Sequence, residues 1–310
     1  MCAGGFSGGD GGAVRTSWGS ATDRGRVREV NEDALLAYPP VFLVADGMGG
    51  HDAGDLASRI AVEEFAQLAG QSSASSDDVH ACFARTSSRI RTEFTRGRQG
   101  GTTVAGAAVT EHDGGWYWLV FNVGDSRVYR CSEGALEQVS VDHSVVQELL
   151  DSGELTPDAA RRHPERHVLT RALGTGEPPE PDYWLLPAGV DDRLLICTDG
   201  LTRELSDTEI ADVLASVDDP QEASALLVQH ALERGGRDNV SAVVVDVATT
   251  VTPEPTHTTL PRTAPDLGPH LWDEMLNGAT VPRHAAALQD APPTPVPPAS
   301  SPVDAQEDPA

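Results

Sequence analysis

The chain has 310 residues, enough for one large core or two small ones. Its formal net charge of −26 excludes nucleic acid as a partner, since no cationic stripe exists to neutralise phosphates, and argues equally against an anionic membrane surface. All 22 basic residues are arginine, and the absence of lysine excludes a Walker A loop, a protein-kinase active site and a Schiff-base enzyme.

Residues 1–14 are glycine-rich and are expected to be disordered. This start lacks the basic and apolar regions of a signal peptide, and no stretch approaches the roughly 18 apolar residues of a membrane span, so a cytoplasmic location is expected. A globular region follows over 15–248. Its first notable segment, "DRGRVREVNEDAL" (23–35), sets Arg28 three residues before Asn31, Glu32 and Asp33. Adjacent acids on a strand point to opposite faces, so only one of Glu32 and Asp33 looks directly into a site. Arginine offers a planar fork for two phosphate oxygens. Taken alone, such a segment is an ordinary surface charge cluster.

Next comes "VFLVADGMGGHDAG" (41–54), an apolar strand that climbs to Asp46 and breaks into glycines. Two readings stand. The glycines could cradle phosphate on backbone N–H groups, or Asp46 could anchor a metal at the strand end. In the second case the Gly47 carbonyl can approach an ion without Cβ interference. "DLASRIAVEEFAQLA" then reads as a helix, with Leu56, Ile60, Phe65 and Leu68 near helical spacing. "TTVAGAAV", "WYWLVFNV" and "SRVYRC" read as strands, and the tight turn "GDS" between the last two predicts antiparallel neighbours. "RLLICT" and "SAVVVDV" are further strands, and "ASALLVQHALERGG" is a helix closed by a Gly pair. Strands in hairpin groups and helices in pairs predict an antiparallel two-sheet core flanked by helices rather than a doubly wound parallel sheet.

From 249 the composition changes to a proline-rich, acidic tail (249–310), with 13 of the 22 prolines in residues 251–310. Such a tail buries too little surface to offset its ordering entropy, so disorder is expected. One island, "LWDEML" (271–276), would place Leu271, Trp272, Met275 and Leu276 on one face of a short helix. Four cysteines stand far apart with no C-x-x-C pair, which is neither a zinc site nor a disulfide framework. Cys131 and Cys197 lie in strand-like runs and read as small core residues.

Four acids share one design. Asp46, Asp125, Asp199 and Asp238 each sit where an apolar strand meets a turn. One such aspartate ordinarily bonds its own backbone. Four in one domain point to convergence on a common rim, where clustered carboxylates repel unless they share protons or hold cations. Oxygen ligands without cysteine favour hard ions such as Mg²⁺ or Mn²⁺.

The ordered set "RxxNEDA", "VADGMGGHDAG", "GGTT", "VGDSRVYR", "DHSVVQELLDSGELT", "LTRALG", "CTDGL" and "GRDNVSAVVV" resembles the metal-dependent protein phosphatases of type 2C, in their bacterial form, over about residues 16–247. The resemblance implies an α+β fold, a four-layer α/β/β/α sandwich with two central antiparallel sheets, and hydrolysis of phosphoserine and phosphothreonine in proteins. It implies two Mn²⁺ or Mg²⁺ ions, both bridged by Asp46. Asp199 and Asp238 would hold the first, and Glu32 and the Gly47 carbonyl the second. Asp125, with Asp199, would hold a third, weaker ion. Asp33 would orient metal-bound water and Arg28 would grip the phosphate. A mobile flap would span Asp142 to Leu173. In the animal pattern a histidine follows the Asp-Gly pair; here that position is Met48, and His51 lies three residues on. Implied partners are phosphorylated proteins, either kinases or their substrates, met by a monomer that opposes bacterial Ser/Thr kinases. Loss of metal acids would have marked a pseudophosphatase, and none is lost. A phosphatase acting on anti-sigma-factor antagonists differs only in partner.

Overall fold

The computed structural model describes residues 2–5, 13–49, 53–94, 99–132, 134–160, 162–175, 180–190 and 192–251. In chain order these form β1 (Cys2–Gly5), β2 (Ala13–Asp23), β3 (Asp33–Tyr38), β4 (Val41–Gly49), α1 (Ala53–Ala66), α2 (Ser76–Glu93), β5 (Gly100–Thr102), β6 (Val104–His112), β7 (Gly115–Val123), β8 (Arg127–Ser132) and β9 (Ala135–Gln138). There follow α3 (Val145–Asp151), α4 (Pro157–Ala160), β10 (Asp182–Pro187), β11 (Arg193–Cys197), α5 (Asp199–Thr202), α6 (Asp207–Ser216), α7 (Pro220–Arg234) and β12 (Val240–Val251). One sheet runs β1-β2-β12-β11-β8-β9 and the other β10-β7-β6-β4-β3, with β5 added beside β4. Every pairing is antiparallel.

The apolar runs are continuous because both faces of the central strands are covered. Side chains alternate across a strand, so Phe42 and Val44 of β4 meet Leu194, Ile196, Val243 and Val245 of the other sheet, between the layers. Val41, Leu43 and Ala45 point the other way, onto Ile60 and Phe65 of α1 and Val79 and Phe83 of α2. Leu195, Cys197, Ala242 and Val244 likewise face Leu201, Ile210 and Leu227 of the α5–α7 layer. The expected four-layer α/β/β/α sandwich is thus the observed one.

Three expectations differ. The "GDS" turn does not join antiparallel neighbours, because β7 pairs with β6 and β10 while β8 pairs with β11 and β9. Gly124 takes φ +115°, a conformation open to glycine, and turns the chain out of one sheet and into the other. Asn122 Nδ2 holds this corner by donating to the carbonyls of Gly124 and Val141, each at 3.0 Å. Secondly, Cys2–Gly5, expected to be disordered, pairs with Arg15–Trp18 of β2; strand pairing uses backbone groups and tolerates a glycine-rich sequence at a sheet edge. Thirdly, β12 runs past the expected boundary at 248, pairing Thr249, Thr250 and Val251 with Arg15, Val14 and Ala13. His51, the 271–276 island and the tail beyond 251 lie outside the described residues.

Candidate active site

The site lies at one rim of the sandwich, where ends of strands from both sheets meet. In the β3–β4 register Asp33 stands directly opposite Asp46, so both side chains leave the same face. The Asp46 backbone is held on both sides: its N–H donates to Thr103 Oγ1 (3.0 Å), and its carbonyl accepts from the Thr103 N–H (2.9 Å) and Thr102 Oγ1 (3.0 Å). Thr103 Oγ1 in turn meets Ser126 Oγ at 2.8 Å, which ties Asp46 to the corner carrying Asp125.

Gly47 is enclosed by backbone. Its N–H donates to the Glu32 carbonyl (3.1 Å), and a Cβ there would lie 2.2 Å from the Gly54 oxygen and 2.5 Å from the Glu32 oxygen. The Glu32 carboxylate lies against Gly54 at the start of α1, where a Cβ would meet its Oε1 at 2.6 Å. Asn239 fastens the arginine-bearing loop to β12, accepting from Glu32 N–H (2.9 Å) and donating to the carbonyls of Arg24 and Val30 (2.9 Å each). Asp33 is buried, and its Oδ2 accepts from Thr198 Oγ1 (2.9 Å) and Ser241 Oγ (2.7 Å), a link from one sheet to the other. Asp199 opens α5, and Asp238 precedes β12.

A cleft of about 630 Å³ opens on this rim. Arg28, Glu32, Asp46, Gly47, Asp125, Asp199 and Asp238 all line it; Asp33 lies out of the lining. The fold thus brings the four strand-end acids to the lining of one cleft. Its electrostatics are unfavourable to the bare anions. Burial, reinforced by the charges of Asp33, Asp199 and Asp125, raises the Asp46 carboxyl well above the ordinary range. Burial and then Asp125 do the same to Asp199, against the pull of Arg203. Burial pushes Asp33 up to about 7 despite its two hydroxyl donors. Burial also raises Asp125 and Glu32.

Such a cluster calls for a cation, and the donor set fits a hard one: the lining offers carboxylates and a backbone carbonyl, with no thiol. Asp33 Oδ1 and Asp199 Oδ1 are buried without a hydrogen-bond partner. Among the described residues no three acidic, histidine or cysteine side chains converge closely enough to hold an ion as they stand. At Asp238 both carboxylate oxygens are taken by Arg28 and Arg203.

Several contributors went unassigned in the sequence. The hydroxyls of Thr103, Thr198 and Ser241 orient the acids, and their only signal is a Thr or Ser set beside a carboxylate or within an apolar strand. His143 is another. Gly124 N–H donates to its Nδ1 (3.1 Å), which puts the ring proton on Nε2, 3.1 Å from Asp182 Oδ2. Its backbone carbonyl accepts from Thr170 N–H (2.9 Å), so ring and backbone together tie the Gly124 corner, Asp182 and the segment up to Leu173. That segment holds α3 and α4, and its His167 and Leu169 line the cleft. Burial lowers the His143 pKa below its usual 6.5, against the Asp182 hydrogen bond. The unfolded chain therefore takes up the proton first as pH falls through about 6.5, and stability drops on that side. His143→Gln is expected to flatten this acid limb in urea melts from pH 7.5 down to 5; an unchanged slope would refute the assignment.

Two antiparallel sheets between helical layers, with an acid-lined cleft at one rim, define the architecture of a metal-dependent phosphatase. The family model for protein phosphatase 2C matches residues 23–234. The chain is 34% identical over 239 residues to the serine/threonine phosphatase stp of Listeria monocytogenes, covering 73% of this chain and 93% of that one. It is 35% identical over 235 residues to the serine/threonine protein phosphatase PstP of Mycobacterium tuberculosis, covering 74% of this chain and 45% of that one. The crystal structure of Mycobacterium tuberculosis PstP/Ppp superposes with a TM-score of 0.71 at 33% identity, covering 76% of this chain and all of that one. A PstP catalytic domain in complex with two manganese ions superposes at 0.69. This chain belongs to the protein phosphatase 2C family.

Proposed function

We propose that the chain hydrolyses phosphoserine and phosphothreonine in proteins in a single step, without a phosphoenzyme. The observation that carries this reading is the meeting of Glu32, Asp46, Asp125, Asp199 and Asp238 with the half-exposed Arg28 in one cleft. In this reading Asp46, Asp199 and Asp238, with Glu32 and the Gly47 carbonyl, would hold two Mn²⁺ or Mg²⁺ ions, and Asp125 with Asp199 would hold a third, weaker one. The bound ions supply Lewis acidity, which activates water near neutral pH and neutralises phosphoryl charge.

The residues of the chain do the rest. Arg28 sets its planar fork against two phosphate oxygens and orients the ester. Asp33, with one oxygen fixed by Thr198 and Ser241 and the other unpartnered, would orient water at the site. Among the described residues no thiol lines the cleft, and burial pushes that of Cys197, two residues before Asp199, up to about 12. The partners are phosphorylated proteins, kinases or their substrates, met in the cytoplasm by a monomer. No helix of the described residues is long and apolar enough to cross a membrane.

The test is release of inorganic phosphate from a phosphothreonine peptide, with Mn²⁺ and after EDTA treatment. Turnover with Mn²⁺ and its collapse after EDTA are expected. Equal rates in the two conditions would sink the proposal.

A further inference from the structure

Arg203 takes no part in the chemistry above, yet its guanidinium lies across the centre of the acid cluster. It caps the C-terminal end of α5, one turn beyond Asp199, and its backbone N–H is fixed on the Asp199 carbonyl at 2.8 Å. From there one terminal nitrogen contacts Asp199 Oδ2 and the other lies 2.7 Å from Asp238 Oδ2. Arg28 takes the other side of Asp238, with Nε 2.9 Å from Oδ1 and Nη2 3.0 Å from Oδ2. Both oxygens of Asp238 are thereby committed to guanidinium groups. Of the Asp199 carboxylate only Oδ1 is left without a partner.

The arrangement has two physical consequences. It supplies positive charge to carboxylates that otherwise repel one another in a buried setting, so it stabilises the cluster in the absence of any ion. It also occupies the oxygens that an ion would need. A guanidinium and a divalent cation cannot share the same carboxylate oxygens, because like charges a few ångströms apart repel strongly where water is scarce. Arg203 is able to leave: its backbone sits on a helix end, but its side chain is 32% exposed, so the guanidinium has a path from the acids to solvent.

We propose that Arg203 is an internal counter-cation that competes with the metal for Asp199 and Asp238, so that loading the site requires its guanidinium to swing out. This rests on the assignment of those two acids as metal ligands. Arg203 then sets the metal concentration at which the protein loads, and protects the cluster below it.

The experiment is Mn²⁺ titration by calorimetry on the full chain and on Arg203→Gln, Arg203→Lys and Asp238→Asn, with thermal melts in EDTA and in saturating Mn²⁺. Arg203→Gln is expected to bind Mn²⁺ roughly tenfold more tightly, the size of one charge-assisted contact. It is also expected to melt below wild type in EDTA and level with it in Mn²⁺. Arg203→Lys keeps the charge without the two-pronged bridge and should fall between; it carries the test if the glutamine variant does not fold. Unchanged or weaker Mn²⁺ binding by both Arg203 variants, with binding lost in Asp238→Asn, would overturn the competition alone. A melting temperature lowered equally in both conditions would reduce Arg203 to a structural contact and overturn it too. Wild-type Mn²⁺ binding by Asp238→Asn would remove the ligand assignment, and the proposal with it.

Discussion

Asp46→Asn is expected to lower turnover of p-nitrophenyl phosphate in Mn²⁺ by more than about a hundredfold. Groups that merely orient a metal ligand cost about 10–100-fold when lost, and a ligand itself stands one step closer to the chemistry. The same substitution should leave the protein without metal at least as stable as wild type. Asn keeps the shape of Asp, and the contacts to Thr102 and Thr103 use only the Asp46 backbone. The substitution removes a carboxylate whose pKa is raised by burial and by its acidic neighbours. A carboxylate raised in the folded state opposes folding at any pH where the unfolded chain has it ionised, so removing it at pH 8 relieves that cost. The measurements are steady-state turnover and calorimetric melts in EDTA. If melting temperature falls together with activity, Asp46 is a structural residue and its assigned role is wrong.

That opposite movement of activity and stability reflects what was and was not legible in the sequence. The climb of "VFLVA" to Asp46 and the break at Gly47 are local: a strand buried on both faces must be apolar, and it can carry an acid only where it leaves the core. Hence the strand-end acids were readable one by one. β2 was not, because "AVRTSWGSATD" is small and polar where α7 packs on it. A Cβ on its Gly19 would lie 2.2 Å from Gln221 Cα, so close helix approach selects small side chains over the apolar ones that mark a strand. α2 was not read as a helix either, although its Ser75–Asp78 capping box is followed by buried Val79, Cys82, Phe83, Thr86 and Ile90 at helical spacing. The corner at Gly124 was misread because a short turn between two strands is also how a chain changes sheets. Arg203 was out of reach for a different reason. It meets Asp238 from 35 residues away, and nothing in "DGLTREL" announces a partner beyond its own helix.

Saturating Mn²⁺ is expected to raise the melting temperature by roughly 5–10 °C. At a hundredfold excess over Kd, binding to the folded state alone contributes about 2.7 kcal/mol. For a domain of this size each kcal/mol moves the midpoint by about 2–4 °C. The source of the shift matters more than its size. Five carboxylates from both sheets and the loop before β3 line one cleft, and an ion between them replaces repulsion by attraction across the whole rim. Sodium chloride at matched ionic strength should do far less, because mobile ions screen buried pairs poorly. Asp46→Asn and Asp199→Asn should each lose most of the Mn²⁺ shift, while EDTA should reverse it in wild type. A sodium effect equal to that of Mn²⁺ would mean that the acids act only as diffuse negative charge, and the metal centre would fall with that result. A shift that survives Asp46→Asn but not Asp199→Asn would instead move the ion away from β4 and towards the α5 end of the cleft.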